Sequence, residues 1–151
     1  MRLYLVHHGA AVDPGVDTRQ PLSVAGAAQV ADLAAEAAAR GVRPDVVWHS
    51  GKLRAKQTAE AFWRACNALA PCSATRGLQP GDPPVWMRDR LRHEPRDILI
   101  AGHFPHLPRL LALTLTGRDD DSMAFPLHGL VALETADDGE TWTELWRAEA
   151  R

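Results

Sequence analysis

Three short apolar runs constrain this chain more than any other feature of it. Leu3-Tyr4-Leu5-Val6, Val46-Val47-Trp48 and Ile98-Leu99-Ile100-Ala101 are each a few residues long and rich in β-formers. Each is closed by a turn signal: His7-His8-Gly9, His49-Ser50-Gly51 and Gly102-His103. Runs of this length read as buried strands, because a helix needs a longer apolar period to bury a face. Helical stretches separate them. Ser23 reads as the N-cap of a helix that runs to about Arg40 and stops at Gly41, with Val30, Leu33, Ala34 and Ala37 as its apolar stripe. Ser50 is placed to cap a second helix, Lys52 to Leu69, whose inward positions are Ala55, Thr58, Ala59, Phe62, Cys66 and Leu69. A short helix from Val85 to His93 turns Val85, Trp86 and Leu91 inward. Another starts near Pro105, buries Leu107, Leu110, Leu111 and Thr114, and ends at Gly117. Strands alternating with helices imply an α/β/α sandwich. A short edge strand is expected near Ala74–Leu78. Gly129–Glu134 and Thr141–Arg147 form a hairpin on the sheet edge about Asp137-Asp138-Gly139, with Trp142 and Trp146 sharing a face.

The 151 residues make one domain, 1–151, with 46% apolar residues to build a core. A formal charge of −2 argues against non-specific nucleic-acid binding. No apolar run reaches the roughly 18 residues of a membrane span, and Tyr4 and the His pair break any signal-peptide core. Cys66 and Cys72 stand in no metal-ligand spacing, so a reduced, cytoplasmic protein without a cofactor is expected.

In an open α/β sheet, ligands bind at the carboxyl ends of the strands. That rim collects His7 and His8, Ser50 and Arg54, and His103; His128 precedes another strand and is placed to join them. Arg54 falls in a first helical turn, where free N–H groups already favour an anion. Two chemistries need such a set. In one, an imidazole attacks phosphorus while cationic donors hold the equatorial oxygens. In the other, three imidazoles hold zinc with an open position for water. The second lacks a paired H-x-x-x-H motif and a carboxylate ligand, which favours phosphoryl transfer and no bound metal.

The same residues resemble the histidine phosphatase superfamily. That family has a strand ending in Arg-His-Gly, a Ser-x-x-x-Arg-Ala-x-Gln-Thr-Ala segment and a later Gly-His strand end. This chain has His7-His8-Gly9, then Ser50 through Ala59 in agreement, then Gly102-His103. Its short length and Pro21-Leu22-Ser23 are similar to the SixA-type phosphohistidine phosphatases. The resemblance implies a three-layer sandwich around a mostly parallel mixed sheet, with no metal or other cofactor. It makes His8 the nucleophile and His103 its catalytic partner, with Arg54, Ser50 and His7 in the phosphate pocket. His7 stands where the family has arginine, and Arg19 is the loop cation able to fill the vacancy. To act as a strong phosphate donor His7 must be cationic, so a free pKa near 6.5 and a bell-shaped rate profile are expected. Asp17 and Asp82 are candidate general acids, beside Gln79. The implied substrate is phosphohistidine on a protein, with a small phosphomonoester second. A weakly active or inactive phosphate-binding relative and a His-rich metal-binding protein are the alternatives.

Overall fold

A computed structural model describes residues 1–151. The elements in chain order are β1 (Arg2–His7), α1 (Val24–Ala39), β2 (Val46–His49), α2 (Leu53–Cys66), β3 (Cys72–Ala74), α3 (Pro84–Leu91), β4 (Ile98–Gly102), α4 (His106–Thr116), β5 (Leu130–Glu134) and β6 (Thr143–Ala148). The six strands form one mixed sheet ordered β3-β2-β4-β1-β5-β6. The first four of that order run parallel; β5 is antiparallel to β1, and β6 to β5.

Period-two alternation along each strand divides the interior in two. Tyr4, Val6, Val47, Leu99 and Ala101 face α1 and α2, where Val30, Leu33, Ala34 and Phe62 close over them. Leu3, Leu5, Val46, Trp48, Ile98 and Ile100 face the other side, where Met87, Leu91, Leu107, Leu110 and Leu111 cover them. With both faces covered, the apolar runs need no polar alternation, which explains their sequence.

Topology then sets the site. β4 lies between β2 and β1, with His49 opposite Ala101 and His7 opposite Gly102. The residues that follow, Ser50, His103 and His8, therefore leave the sheet side by side. β5 is antiparallel to β1, so it begins where β1 ends: Val6 is opposite Leu130, and the His7 N–H donates to Gly129 O at 3.0 Å. That brings His128 to the same edge.

Several expectations shift. α1 is as read: the Ser23 side chain caps Gly26 N, and Gly41 leaves the helix at φ 84°. α2 stops at Cys66, because the Asn67 side chain bonds Pro44 O at 2.9 Å and accepts from Leu69 N; Leu69 is exposed and not inward. In α3 Leu91 faces inward as expected, joined by Met87, while Trp86 is exposed. The edge strand is Cys72–Ala74, earlier than expected. Trp142 and Trp146 do not share a face. Between Ala132↔Trp146 and Leu133↔Glu144 the ladder slips by one residue on β6, and one slip reverses side-chain parity. Trp142 is buried on the α3–α4 side, while Trp146 packs on the α1–α2 side beneath the Arg40 guanidinium at 4.4 Å.

Gly26 lets α1 lie against the loop that leaves the site: a Cβ there would stand 2.0 Å from Ala10 O. Glycine to alanine inside a helix ordinarily stabilises by up to ~1 kcal/mol. Here the backbone clash outweighs that gain, so Gly26→Ala should destabilise by ~1–3 kcal/mol. Thermal melts should show a drop of ~2–4 °C per kcal/mol at this size. A raised midpoint would contradict the packing.

Candidate active site

The edge gathers four imidazoles and one guanidinium, and the backbone fixes which nitrogen of three of these rings carries hydrogen. His8 Nδ1 lies 2.7 Å from Gly9 O, which can only accept, so Nδ1–H donates and the lone pair is on Nε2. His128 repeats the arrangement: Nδ1–H donates to His8 O at 2.7 Å, leaving its neutral ring a lone pair at Nε2. His7 is the reverse. Its Nδ1 accepts the His128 backbone N–H at 2.8 Å, so its hydrogen is on Nε2, which has no protein partner and is not enclosed. His103 Nε2 is 2.6 Å from Ser50 Oγ, while its Nδ1 is enclosed and unpaired.

A nitrogen on each of His7, His8 and His128 falls within 4.8 Å of the others, close enough to consider a metal. Three ligands need three lone pairs. The hydrogen bonds provide two, at His8 and His128, and make His7 a donor. Ligation through His7 Nε2 would put hydrogen on Nδ1, against the His128 N–H. As bonded, the three rings do not offer a metal three lone pairs, and the donors at this edge are His7 Nε2–H and the unpaired Arg54 guanidinium.

His7 is packed rather than free. Phe104 stacks on one face at 3.9 Å and 8°, and His128 on the other at 4.8 Å and 5°. Burial, then the neighbouring His8, His128, His103 and Arg54, pushes its pKa down to about 3. The expected value near 6.5 is therefore overturned: His7 offers one neutral Nε2–H and no charge, and no alkaline limb belongs to it. His103 is likewise pushed down to about 3, by burial and then His8, Arg54 and Lys52. Burial also lowers His8, partly offset by its bond to Gly9 O.

Arg54, half-buried in the first turn of α2, forms no ion pair. The segment around it is bolted down by its own motif. Thr58 Oγ1 accepts the Gly9 N–H at 3.0 Å and donates to Arg54 O at 2.8 Å, and Gln57 Oε1 accepts the Leu22 N–H at 2.7 Å. Ser50 does not cap α2 by a side-chain bond at its first turn; its hydroxyl accepts from Lys52 N at 3.2 Å and serves His103.

Arg19 and Asp17 are not brought to the cluster as separate groups. They pair with each other at 3.0 Å on an exposed loop, and Arg19 holds the Asp17 carboxyl below its ordinary range. The Arg19 fork is thus engaged by Asp17, and neither side chain is hydrogen-bonded to an imidazole of the cluster. Asp82 lies elsewhere, in a cavity of about 510 Å³ lined also by Ser50, Gln79 and Trp86. Gln79 joins that cavity to the rim by donating to Ser50 O at 2.7 Å.

His128 is the member the sequence signalled least. Its cue was a His-Gly pair ahead of a strand, as at the other strand ends, and its φ of 54° marks a backbone held in a left-handed form. His106 reaches neither rim nor solvent: it is fully buried with both ring nitrogens unpaired, and burial pushes it down to about 4.

The family described as histidine phosphatase superfamily (branch 1) matches residues 3–87. No curated protein matches the chain. Among solved structures, the protein histidine phosphatase SixA complexed with tungstate is similar with a TM-score of 0.83 and 21% identity, over 99% of this chain and 97% of that one. A SixA-type protein from Agrobacterium tumefaciens is similar with a TM-score of 0.76 and 23% identity, over 97% and 96%. A phosphoserine phosphatase from Entamoeba histolytica, in complex with 3-phosphoglyceric acid, is similar with a TM-score of 0.72 and 13% identity, over 99% and 98%. Identities this low carry the fold and not the substrate.

Two pH effects follow from the buried imidazoles. A histidine with a folded pKa below its unfolded ~6.5 binds more protons unfolded, so its contribution is complete above pH ~6.5 and lost as pH falls toward the folded value. For His106 that window runs from ~6.5 down to about 4. His106→Leu, which leaves no enclosed unpaired nitrogen, should therefore gain melting temperature over wild type at pH ~5 relative to pH ~8. An equal difference at both pH values would show that His106 is not held neutral. Secondly, an imidazole attacks only when neutral and burial lowers the His8 pKa, so with His8 as nucleophile the acid limb of single-turnover phosphorylation should lie below pH ~6.5. A midpoint above that value would contradict the assignment.

Proposed function

Since the chain belongs to the histidine phosphatase superfamily, we propose that it is a phosphatase that works through a phosphohistidine on His8 and takes phosphohistidine on a protein as its substrate. The observation that carries this is the hydrogen bond from His8 Nδ1 to Gly9 O, which leaves the Nε2 lone pair available beside an unpaired guanidinium.

The step is a displacement at phosphorus. His8 Nε2 forms a bond to phosphorus as the bond to the leaving group breaks, and the phosphoryl oxygens gather charge. Arg54 meets that charge with a fork of donors, and His7 Nε2–H adds a neutral one. His103 is held by Ser50 at 2.6 Å, so a phosphoryl oxygen exchanges with the Ser50 hydroxyl to reach its Nε2. Asp82 is the general acid of this reading: it lines the cavity that continues from Ser50, whereas Asp17 is tied to Arg19. In the second half, water attacks phosphorus, its proton passes to the Asp82 carboxylate left by the first half, and the electron pair of the broken P–N bond returns to Nε2.

The substrate class rests on two supports. The chain aligns end to end with a protein histidine phosphatase. The cavity beside Ser50 is open rather than enclosed, which suits a phosphate displayed on a surface. The likeness to a phosphoserine phosphatase keeps a small phosphomonoester as the second reading.

His8→Asn keeps a side-chain N–H near Gly9 O and removes the nucleophile. Trapping with labelled substrate should give an acid-labile phosphoenzyme in wild type and none in His8→Asn, with turnover lost. Label retained by the variant would refute His8. Asp82→Asn should slow small phosphomonoesters ~100-fold or more, within the range of general acids. Rates equal to wild type would remove Asp82 from the reaction. Turnover of one metabolite with no action on a phosphorylated histidine domain would leave the second reading in place of the first.

A further inference from the structure

The pocket differs from the family pattern in charge as well as in shape. Arginine at position 7 would supply a fixed positive charge; His7, held neutral by its packing, supplies none. Arg54 is then the one fixed cation among the grouped side chains. Opposite this deficit stands an unused lone pair, the Nε2 of His128, whose Nδ1–H is committed to His8 O. A phosphoryl dianion presents only acceptors, and an acceptor facing the His128 lone pair is repelled. One proton placed between them converts that repulsion into a charge-assisted hydrogen bond and restores the missing unit of charge balance.

We propose that the pocket binds a phosphoryl group together with one proton, shared between His128 Nε2 and a phosphoryl oxygen, so that the substrate is taken in effect as its monoanion. This rests on the phosphatase reading above and adds the ionic form of the substrate. His128 is a specificity-determining residue in this scheme.

The titratable and charged groups gathered with His128 are His7 and His8 at the end of β1, Arg54 on α2 and His103 after β4. None of the others is a good home for the proton. His7 would lose its bond from the His128 N–H and bury a charge between two stacked rings. His103 has one nitrogen on Ser50 and the other enclosed. His8 must keep its Nε2 free to attack, and Arg54 accepts no proton. His128 is half-buried, with its Nε2 neither enclosed nor engaged, so it takes the proton with the least loss.

The test uses inorganic phosphate and the intact protein. At pH ~8 phosphate is mostly dianionic, and calorimetric titration in two buffers of different ionisation enthalpy counts the protons taken up on binding. Wild type should take up about one proton per phosphate. His128→Asn should take up close to none and bind about tenfold more weakly. Asparagine tolerates the positive φ and its side-chain N–H replaces Nδ1–H at His8 O, so the variant keeps the local structure. Binding by wild type without proton uptake overturns this inference and leaves the phosphatase reading standing. Undiminished uptake in His128→Asn overturns it too, since the proton then resides elsewhere. No phosphate binding by wild type, with no phosphoenzyme on His8, overturns the phosphatase reading and this inference together.

Discussion

The site depends on the register between β2, β4 and β1. Parallel neighbours with His49 opposite Ala101 and His7 opposite Gly102 end at one level, so three consecutive turns leave the sheet a strand's width apart. That spacing, about 4.8 Å, is what lets side chains on adjacent strand ends meet one small ion. A slip of one residue in either pairing would send each turn residue to the opposite face. Register here is protected by burial on both sides: Leu5, Ile100 and Trp48 fill one core while Val6, Ala101 and Val47 fill the other. The chemistry is thus held by the hydrophobic core rather than by its own contacts.

Hydrogen bonds from the backbone do the finer work. Gly9 O and His8 O each fix a ring by accepting Nδ1–H, and the His128 N–H fixes a third by donating to Nδ1. Carbonyls and amides cannot change role, so three tautomers are set without any carboxylate. The one reversed bond, at His7, keeps the three rings from all turning a lone pair to the same point. Low dielectric sharpens the effect, since burial and the nearby guanidinium both disfavour imidazolium.

Legibility in the sequence varied with the range of the cause. The Ser23 cap and the Gly41 stop were readable because a cap is local chemistry. In the Ser50–Ala59 segment, the place of Arg54 in a first helical turn was readable, but the contacts of Gln57 and Thr58 were not. Those two hold the Leu22 and Gly9 amides, contacts that span 35 and 49 residues. Helical period by itself places Leu69 inward, because it carries on past the point where Asn67 ends α2, and apolar character alone places Trp86 in the core, where Met87 fills the space. Alternation counted along one strand places Trp142 and Trp146 on one face, because a β-bulge leaves no mark in it.

What the sequence determined by itself was the set of elements and the residue types that close the strands at one edge of the sheet. Three buried apolar runs closed by His, Ser and Gly, and an arginine in a first helical turn, are properties of consecutive residues. The tertiary structure decided what state those groups are in. His7 is neutral because Phe104 and His128 enclose it, and His128 takes part because β5 is antiparallel to β1 and starts where β1 ends. Asp17 pairs with Arg19 on an exposed loop, while Asp82 lies in the cavity next to Ser50. Charge and protonation follow from burial and from neighbours far away in the chain, and neither is written in the order of residues.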